Sequence, residues 1–212
     1  HELRTPIARM RFALEMLSGT DERAERERLW AMMEADLDEL DHLIDTSLTY
    51  ARFEREAPEP HFSSVCFADW LRDEVDAVRL LGRELTITVD TTKLPENLAV
   101  DVDRKAMPYA LRNLLRNAFK YASKQIIVSA ERQQGNIFVH VDDDGIGIPP
   151  EQRESVFSAF TRLDRSRDRA TGGYGLGLAI TRRVLELHGG TATADAAPLG
   201  GARFTLAWPL AQ

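Results

Sequence analysis

The sequence predicts a helical hairpin, half of a dimeric four-helix bundle, followed by an α+β sandwich. Three patterns predict it. Apolar residues in the first 55 positions recur at helical spacing. Beyond residue 64, short alternating runs mix with helical ones without strict βα alternation. Two glycine-punctuated stretches, near 143–147 and 172–178, flank a polar, arginine-rich segment.

In chain order, residues 1–17 carry Ile7, Met10, Leu14 and Leu17, a 3-4-3 spacing that draws one stripe along a helix. Ser18-Gly19-Thr20-Asp21 interrupts it, and a second helix over about 22–55 carries Trp30, Met33, Leu37, Leu40 and Ile44. Two such narrow stripes cannot bury each other well. A second copy giving a four-helix dimer is the expected remedy; a hairpin lying on the rest of the same chain is the alternative. Two prolines and the lack of periodicity place a linker over 56–64, between a hairpin domain (1–55) and a second domain (65–212). Val65 and Phe67 suggest a short strand, 68–81 a helix, 85–89 a strand and 98–102 another. A helix follows over 105–122, with Pro108 tolerable in its first turn. Residues 126–128 and 137–141 pair around Gly135-Asn136. A helix opening near Gly173 precedes a closing hairpin of 191–194 and 202–208.

The 212 residues leave room for one or two domains. Lys+Arg 27 against Asp+Glu 34 gives a formal charge of -7, which argues against a non-specific nucleic-acid binder. The single cysteine, Cys66, rules out an internal disulfide framework and fits a reducing compartment. No apolar run approaches membrane-spanning length, so this stretch is expected to be soluble. A first residue of His in place of Met suggests a piece of something longer.

The chemistry concentrates at the glycines. Asp143 stands where an alternating strand, Ile137, Val139 and Val141, runs out into Gly145-Ile146-Gly147. The second stretch, Gly172-Gly173-Tyr174-Gly175-Leu176-Gly177-Leu178, opens a helix, where free N–H groups and the positive dipole end receive anions. The order is wrong for a dinucleotide-binding unit, and no phosphate loop ending in Gly-Lys-Ser/Thr occurs. What remains is a nucleotide pocket built from two distant glycine elements, with a flap between them and a metal to be held from elsewhere. On the 105–122 helix, Asn113 and Asn117 share one face at i,i+4, with Leu111, Leu114, Leu115 and Ala118 on the buried side. Carboxamide oxygens are suitable hard ligands for Mg²⁺, although an ordinary polar face explains the same pair. At the chain start, His1 and Thr5 share a helical face, and Glu2 stands beside the histidine. A neutral imidazole is a competent nucleophile near neutral pH, more so when a carboxylate accepts its other proton.

Taken together, these elements resemble the boxes of sensor histidine kinases of two-component systems, among them RstB-like members. His1-Glu2-Leu3-Arg4-Thr5-Pro6 is similar to the H box, Asn113 to Tyr121 to the N box, and Asp143-x-Gly145-x-Gly147 to the first glycine box. Phe157-x-x-Phe160 resembles the F box and Gly173-x-Gly175-x-Gly177-Leu178 the second glycine box. All five stand in the family's order and span nearly the whole chain, which one box alone would not make specific. The resemblance implies a dimerisation and phosphoacceptor hairpin followed by a catalytic domain of the Bergerat (GHKL) ATPase type.

The resemblance further implies residue roles. His1 is the phosphoacceptor, Glu2 orients it and takes its proton, and Thr5 matches the pattern linked with dephosphorylating a partner regulator. Asn117, with Asn113, holds Mg²⁺; Lys120 and Tyr121 line the ATP. Asp143 accepts the adenine amine, while Gly145, Gly147, Gly173, Gly175 and Gly177, with Leu176 and Leu178, admit base and phosphates. Phe157 and Phe160 anchor the flap, and Arg162, Arg167 or Arg169 steadies the γ-phosphate. The implied partners are a second copy and an OmpR-type response regulator, with the parent anchored in a bacterial inner membrane and this portion in the cytoplasm. Chaperone, gyrase or mismatch-repair ATPases and anti-sigma-type serine kinases share the pocket but do not need the H box on a hairpin. A chain that binds ATP and only scaffolds is a further rival. One departure stands out: in the family a turn or more of helix precedes the histidine, and here it is the first residue.

Overall fold

The computed structural model describes residues 4–55, 60–79, 85–161 and 175–210. Helix α1 (Arg4–Gly19) and helix α2 (Arg23–Arg55) form the expected hairpin. Their mutual contact falls one position ahead of the predicted stripe. Pro6 and Ala13 of α1 and Leu29, Asp36 and Leu43 of α2 are buried, each set at a seven-residue repeat, and Arg9 pairs with Asp36 across the contact. Ile7, Leu14, Trp30, Leu37 and Ile44, the adjoining heptad positions, stay exposed, while Met10, Leu17, Met33 and Leu40 are half-buried. The hairpin uses one seam internally and leaves five of the nine predicted stripe residues outward.

Strand β1 (Phe62–Cys66) pairs antiparallel with β3 (Ala99–Asp103) as a separate two-stranded sheet, bracketing helix α3 (Phe67–Arg79) and strand β2 (Thr86–Lys93). After helix α4 (Ala106–Tyr121) come β4 (Gln125–Gln133) and β5 (Asn136–Asp143), then helix α5 (Gly177–Leu187), β6 (Thr191–Ala196) and β7 (Ala202–Pro209). The main sheet runs β2-β4-β5-β7-β6, antiparallel except that β2 lies parallel to β4. Alternation sets its inner face: Ile126 and Val128, Ile137, Val139 and Val141, and Phe204, Leu206 and Trp208 all point under α3, α4 and α5. The start of the polar segment between the two glycine stretches carries two short 3₁₀ turns, Pro150–Gln152 and Ser155–Phe157, and buries Val156 and Phe157 against the core. Apolar side chains hold that end of the segment down.

The end of α2 rests on the sandwich. Phe53 joins the sandwich core, its carbonyl accepts from Arg183 Nε at 3.3 Å, and the Tyr109 hydroxyl meets Thr46 Oγ1 at 3.4 Å. Among the described residues no helix is long and apolar enough to cross a membrane.

His188, where α5 ends, ties that helix to β3. Its Nδ1 lies 2.8 Å from the Val184 carbonyl, and its Nε2 lies 3.1 Å from the Asp103 backbone N. That N–H can only donate, so Nε2 is the acceptor and the ring is neutral, with its proton on Nδ1. Burial holds the His188 pKa below 6.5, against smaller raising contributions from the Val184 carbonyl and Asp103. The unfolded chain therefore binds the extra proton first. The ring's contribution to stability is complete above about pH 6.5 and lost as pH falls from there toward the folded value. His188→Leu should lower the melting temperature at pH 7.5 and flatten its decline between pH 7 and 5.5. An unchanged slope in the variant would count against this linkage.

Candidate functional site

The site grows from the end of β5. Three consecutive aspartates leave it in three directions. Asp142, on the opposite face of the sheet from Asp143, is buried beneath Arg203, which gives it a bidentate pair at 2.7 and 2.6 Å. Asp144 accepts the backbone N–H groups of Ser123, Lys124 and Gln125, which closes the α4–β4 turn and holds its carboxyl below the usual range. Asp143 faces inward and is 2% exposed. Its Oδ1 accepts from the Gly145 N–H at 2.8 Å and the Ala202 N–H at 3.1 Å. Burial pushes the Asp143 carboxyl up; the two N–H donors oppose the shift, and Asp144 and Asp142 reinforce it. The described residues bring no donor to its Oδ2, so one acceptor is available to a ligand.

Glycines set how closely the backbone approaches here. A Cβ on Gly145 would lie 2.2 Å from the Tyr121 carbonyl oxygen, so only glycine lets the end of β5 pass the end of α4. At the other side of the site, a Cβ on Gly177 would lie 3.2 Å from Asn113 Oδ1. That contact seats the start of α5 on α4: Asn113 Nδ2 donates to the Gly177 carbonyl at 3.2 Å, and Thr181 Oγ1 donates to the same carbonyl at 3.0 Å. Leu176 is buried beneath this junction and Leu178 half-buried beside it.

Helix α4 carries the polar row between the two glycine elements. Its burial pattern matches the expected face: Leu111, Leu114, Leu115 and Ala118 are buried, and so is Asn113, while Asn117 and Lys120 are half-buried. Lys120 Nζ lies 4.7 Å from the centre of the exposed Tyr121 ring. Gly147 closes the first glycine turn, with the Gly201 carbonyl 3.4 Å from its would-be Cβ.

The two expected flap anchors differ. Phe157 is buried, edge-on to Phe204 at 6.2 Å and covered by Arg182 at 4.8 Å. Phe160 is 68% exposed and stands edge-to-face with Tyr50 on α2, at 6.4 Å between centroids. Its backbone does the anchoring instead: the Phe160 N–H donates to the Gly175 carbonyl at 2.9 Å, pinning the two ends of the flap together.

Asn113, Asn117, Lys120, Tyr121, Asp143, Gly145, Gly147, Gly175, Leu176, Gly177 and Leu178 thus border one end of the sandwich, between α4, α5 and the β5 terminus. His1, Glu2, Arg162, Arg167, Arg169 and Gly173 lie outside the described residues. Thr5 is exposed on the first turn of α1, beside a shallow groove with Arg9, Phe12 and Met32. Gly201 and Ala202, which close on Asp143, were not among the candidates. Their signal was the Gly200-Gly201 pair, which reads as an ordinary hairpin loop.

Two family models match the chain. Residues 102–212 match the family model of histidine kinase-, DNA gyrase B- and HSP90-like ATPases, and residues 1–56 match that of the His Kinase A (phospho-acceptor) domain. The Sensor protein RstB of Escherichia coli is 40% identical over 213 residues, 99% of this chain and 47% of RstB. The sensor histidine kinase CpxA of Escherichia coli is 32% identical over 99% of this chain and 45% of its own length. The chain therefore spans about half the length of the curated relatives it matches. Among solved structures, full-length ShkA in complex with AMPPNP aligns with a TM-score of 0.74 at 26% identity, covering 98% of this chain and 42% of that one. The mycobacterial sensor histidine kinase MprB aligns at 0.61 and 27%, covering 71% of this chain and 98% of that one.

Proposed function

Since the chain belongs to the histidine kinase-, DNA gyrase B- and HSP90-like ATPase family, in the histidine-kinase branch that also carries the phospho-acceptor domain, we propose that it is the kinase portion of a two-component sensor. It binds ATP, transfers the γ-phosphate to His1 and passes it on to an aspartate of a response regulator. The observation that carries this reading is the pairing, in one chain, of a phospho-acceptor hairpin match with a buried carboxylate, one oxygen of which receives no donor from the described residues.

The proposed division of labour is the one the family resemblance implies, and the placement of the described residues is compatible with it. Asp143 Oδ2 accepts the exocyclic amine of adenine, which guanine replaces by a carbonyl. Gly145, Gly147, Gly175 and Gly177 allow close backbone approach, with Gly173 beside them in sequence, and Leu176 and Leu178 support the α5 start. Lys120 and Tyr121 line the nucleotide. Asn117, with Asn113, would hold Mg²⁺: their carboxamide oxygens are hard donors, and Asn113 Nδ2 is already committed to Gly177, which leaves its Oδ1 as the acceptor. The metal neutralises charge on the transferring phosphoryl group when bound. Arg162, Arg167 or Arg169 adds positive charge from the flap.

At His1, one ring nitrogen forms the bond to the γ-phosphorus as the bond to the β,γ-bridging oxygen breaks, with ADP departing. Glu2 accepts the proton from the other ring nitrogen. Positioning supplies most of the acceleration in such a transfer. A hairpin unit (1–55) and a nucleotide unit (65–212) joined through 56–64 allow the nucleotide to approach His1 and withdraw for the regulator.

The exposed heptad stripe supports a homodimer. Ile7, Leu14, Leu37, Ile44 and Trp30 are each about half exposed, so covering them with a second hairpin would recover about half of the roughly 1.5–3 kcal/mol of a full aliphatic burial at each position. The 40% identity to RstB favours an OmpR-type regulator and a parent held in a bacterial inner membrane, with this portion facing the cytoplasm. An ATPase or scaffold without histidine phosphorylation is the lesser reading, disfavoured by the phospho-acceptor match over residues 1–56.

The test is incubation of the dimer with Mg²⁺ and γ-labelled ATP. An acid-labile, base-stable label on the protein is expected, and its absence refutes the kinase reading. Thr5→Ala should leave transfer to the regulator intact and slow dephosphorylation of the purified phospho-regulator. Equal dephosphorylation by both proteins would remove Thr5 from that role.

A further inference from the structure

The β6–β7 turn closes on Asp143 from behind. Gly201 is buried, and a Cβ placed on it would lie 2.3 Å from Asp143 Oδ1, 2.4 Å from the Asp143 carbonyl oxygen and 2.5 Å from the Gly145 nitrogen. Only a residue without a side chain lets the turn come this near. The next N–H, that of Ala202, then reaches Oδ1 beside the N–H of Gly145. On the opposite face Arg203 clamps Asp142, so β7 is fixed on β5 from both sides at the same level.

A carboxylate that can turn offers either of two equal oxygens. Here both backbone donors converge on Oδ1, and the described residues bring none to Oδ2. We infer that Gly201 and Ala202 are specificity-determining positioning residues: they lock Asp143 so that one acceptor oxygen alone faces the base, and selection of a 6-amino purine is set by this backbone pair as much as by the carboxylate. The inference rests on Asp143 contacting adenine, and deepens that reading.

A carboxamide in place of the carboxylate exposes the lock, because its two ends differ. In Asp143→Asn the two N–H donors demand the amide oxygen at the Oδ1 position, which turns the NH₂ toward the base. The variant should then reject the 6-amino group of adenine and donate to the 6-oxo group of hypoxanthine. Calorimetric titration of the full chain with the Mg²⁺ complexes of ATP and inosine triphosphate reads this directly. ATP affinity should fall by about 10–100-fold, the scale of one hydrogen bond to a charged group, and the inosine nucleotide should become the tighter ligand. A folded Asp143→Asn protein that still prefers ATP has turned its amide freely, and overturns the lock.

Gly201→Ala supplies an independent arm. It should lower discrimination between ATP and inosine triphosphate toward unity, read as the ratio of the two affinities in the same protein. A folded Gly201→Ala protein with full discrimination also overturns the inference; should that variant unfold, Asp143→Asn decides alone. Parent protein that does not distinguish the two nucleotides refutes the adenine reading of Asp143 itself, and the inference with it. The two failures are therefore distinguishable.

Discussion

Replacing His1 by Gln should abolish protein labelling while leaving ATP affinity unchanged. Deleting a covalent nucleophile removes the reaction channel itself, and the expected loss is on the order of 10³-fold or more. The proposed nucleotide contacts, by contrast, are assigned to α4, α5 and the end of β5, elements that pack into the sandwich core. Calorimetry with ATP and autoradiography after acid and base treatment check the two halves separately. Residual acid-labile label in the variant would mean that another group receives the phosphate. Loss of ATP binding in a folded variant would mean that the hairpin terminus is part of the nucleotide site.

Asn117→Ala should lower the rate of autophosphorylation by roughly 10²-fold, the scale for removing one preorganised group that stabilises transferring charge. Asn117 is half-buried on the polar face of α4, while the opposite face is packed with Leu111, Leu114, Leu115 and Ala118. Truncation there removes a carboxamide without opening the core, and alanine favours the helix. The fold should survive, and excess Mg²⁺ should restore part of the rate. Normal turnover at ordinary Mg²⁺ would remove Asn117 from the metal site. The same substitution at Asn113 is a poorer probe, because Asn113 also joins α4 to Gly177, and its loss mixes packing with chemistry.

Local pattern made most of the elements legible. The stripe on α4 and the alternation in β4, β5 and β7 each record burial on one side, and burial is what the structure shows. Long-range pairing left no such mark. The parallel placement of β2 beside β4, and the separate β1–β3 sheet, are set by which elements meet across the core, not by residues within a strand. The hairpin shows a subtler limit. The apolar stripe was visible, but the internal seam includes Pro6, Ala13 and Asp36, residues too small or too polar to stand out as core. Burial of Asp36 is explained by Arg9 on the facing helix, a partner that sequence spacing does not reveal.

The site divides in the same way. Asp143, the two asparagines and the glycines are recognisable because their chemistry is in their side chains or in the lack of one. The support of Asp143 comes from main-chain N–H groups, which every residue but proline possesses, so nothing in the sequence marks Ala202. Phe160 errs the other way: an aromatic that reads as a buried anchor is outward, and its peptide N–H holds the position.

The clasp between Phe160 and Gly175 bears on how this architecture diversifies. Once both feet of a connection are tied, the entropy of joining them grows only logarithmically with its length, about 0.6 kcal/mol for each doubling. Insertions or altered charge between those feet therefore cost the sheet and its flanking helices little. Relatives built on this frame can change the length and charge of the connection between these two residues while inheriting the sheet and its flanking helices intact.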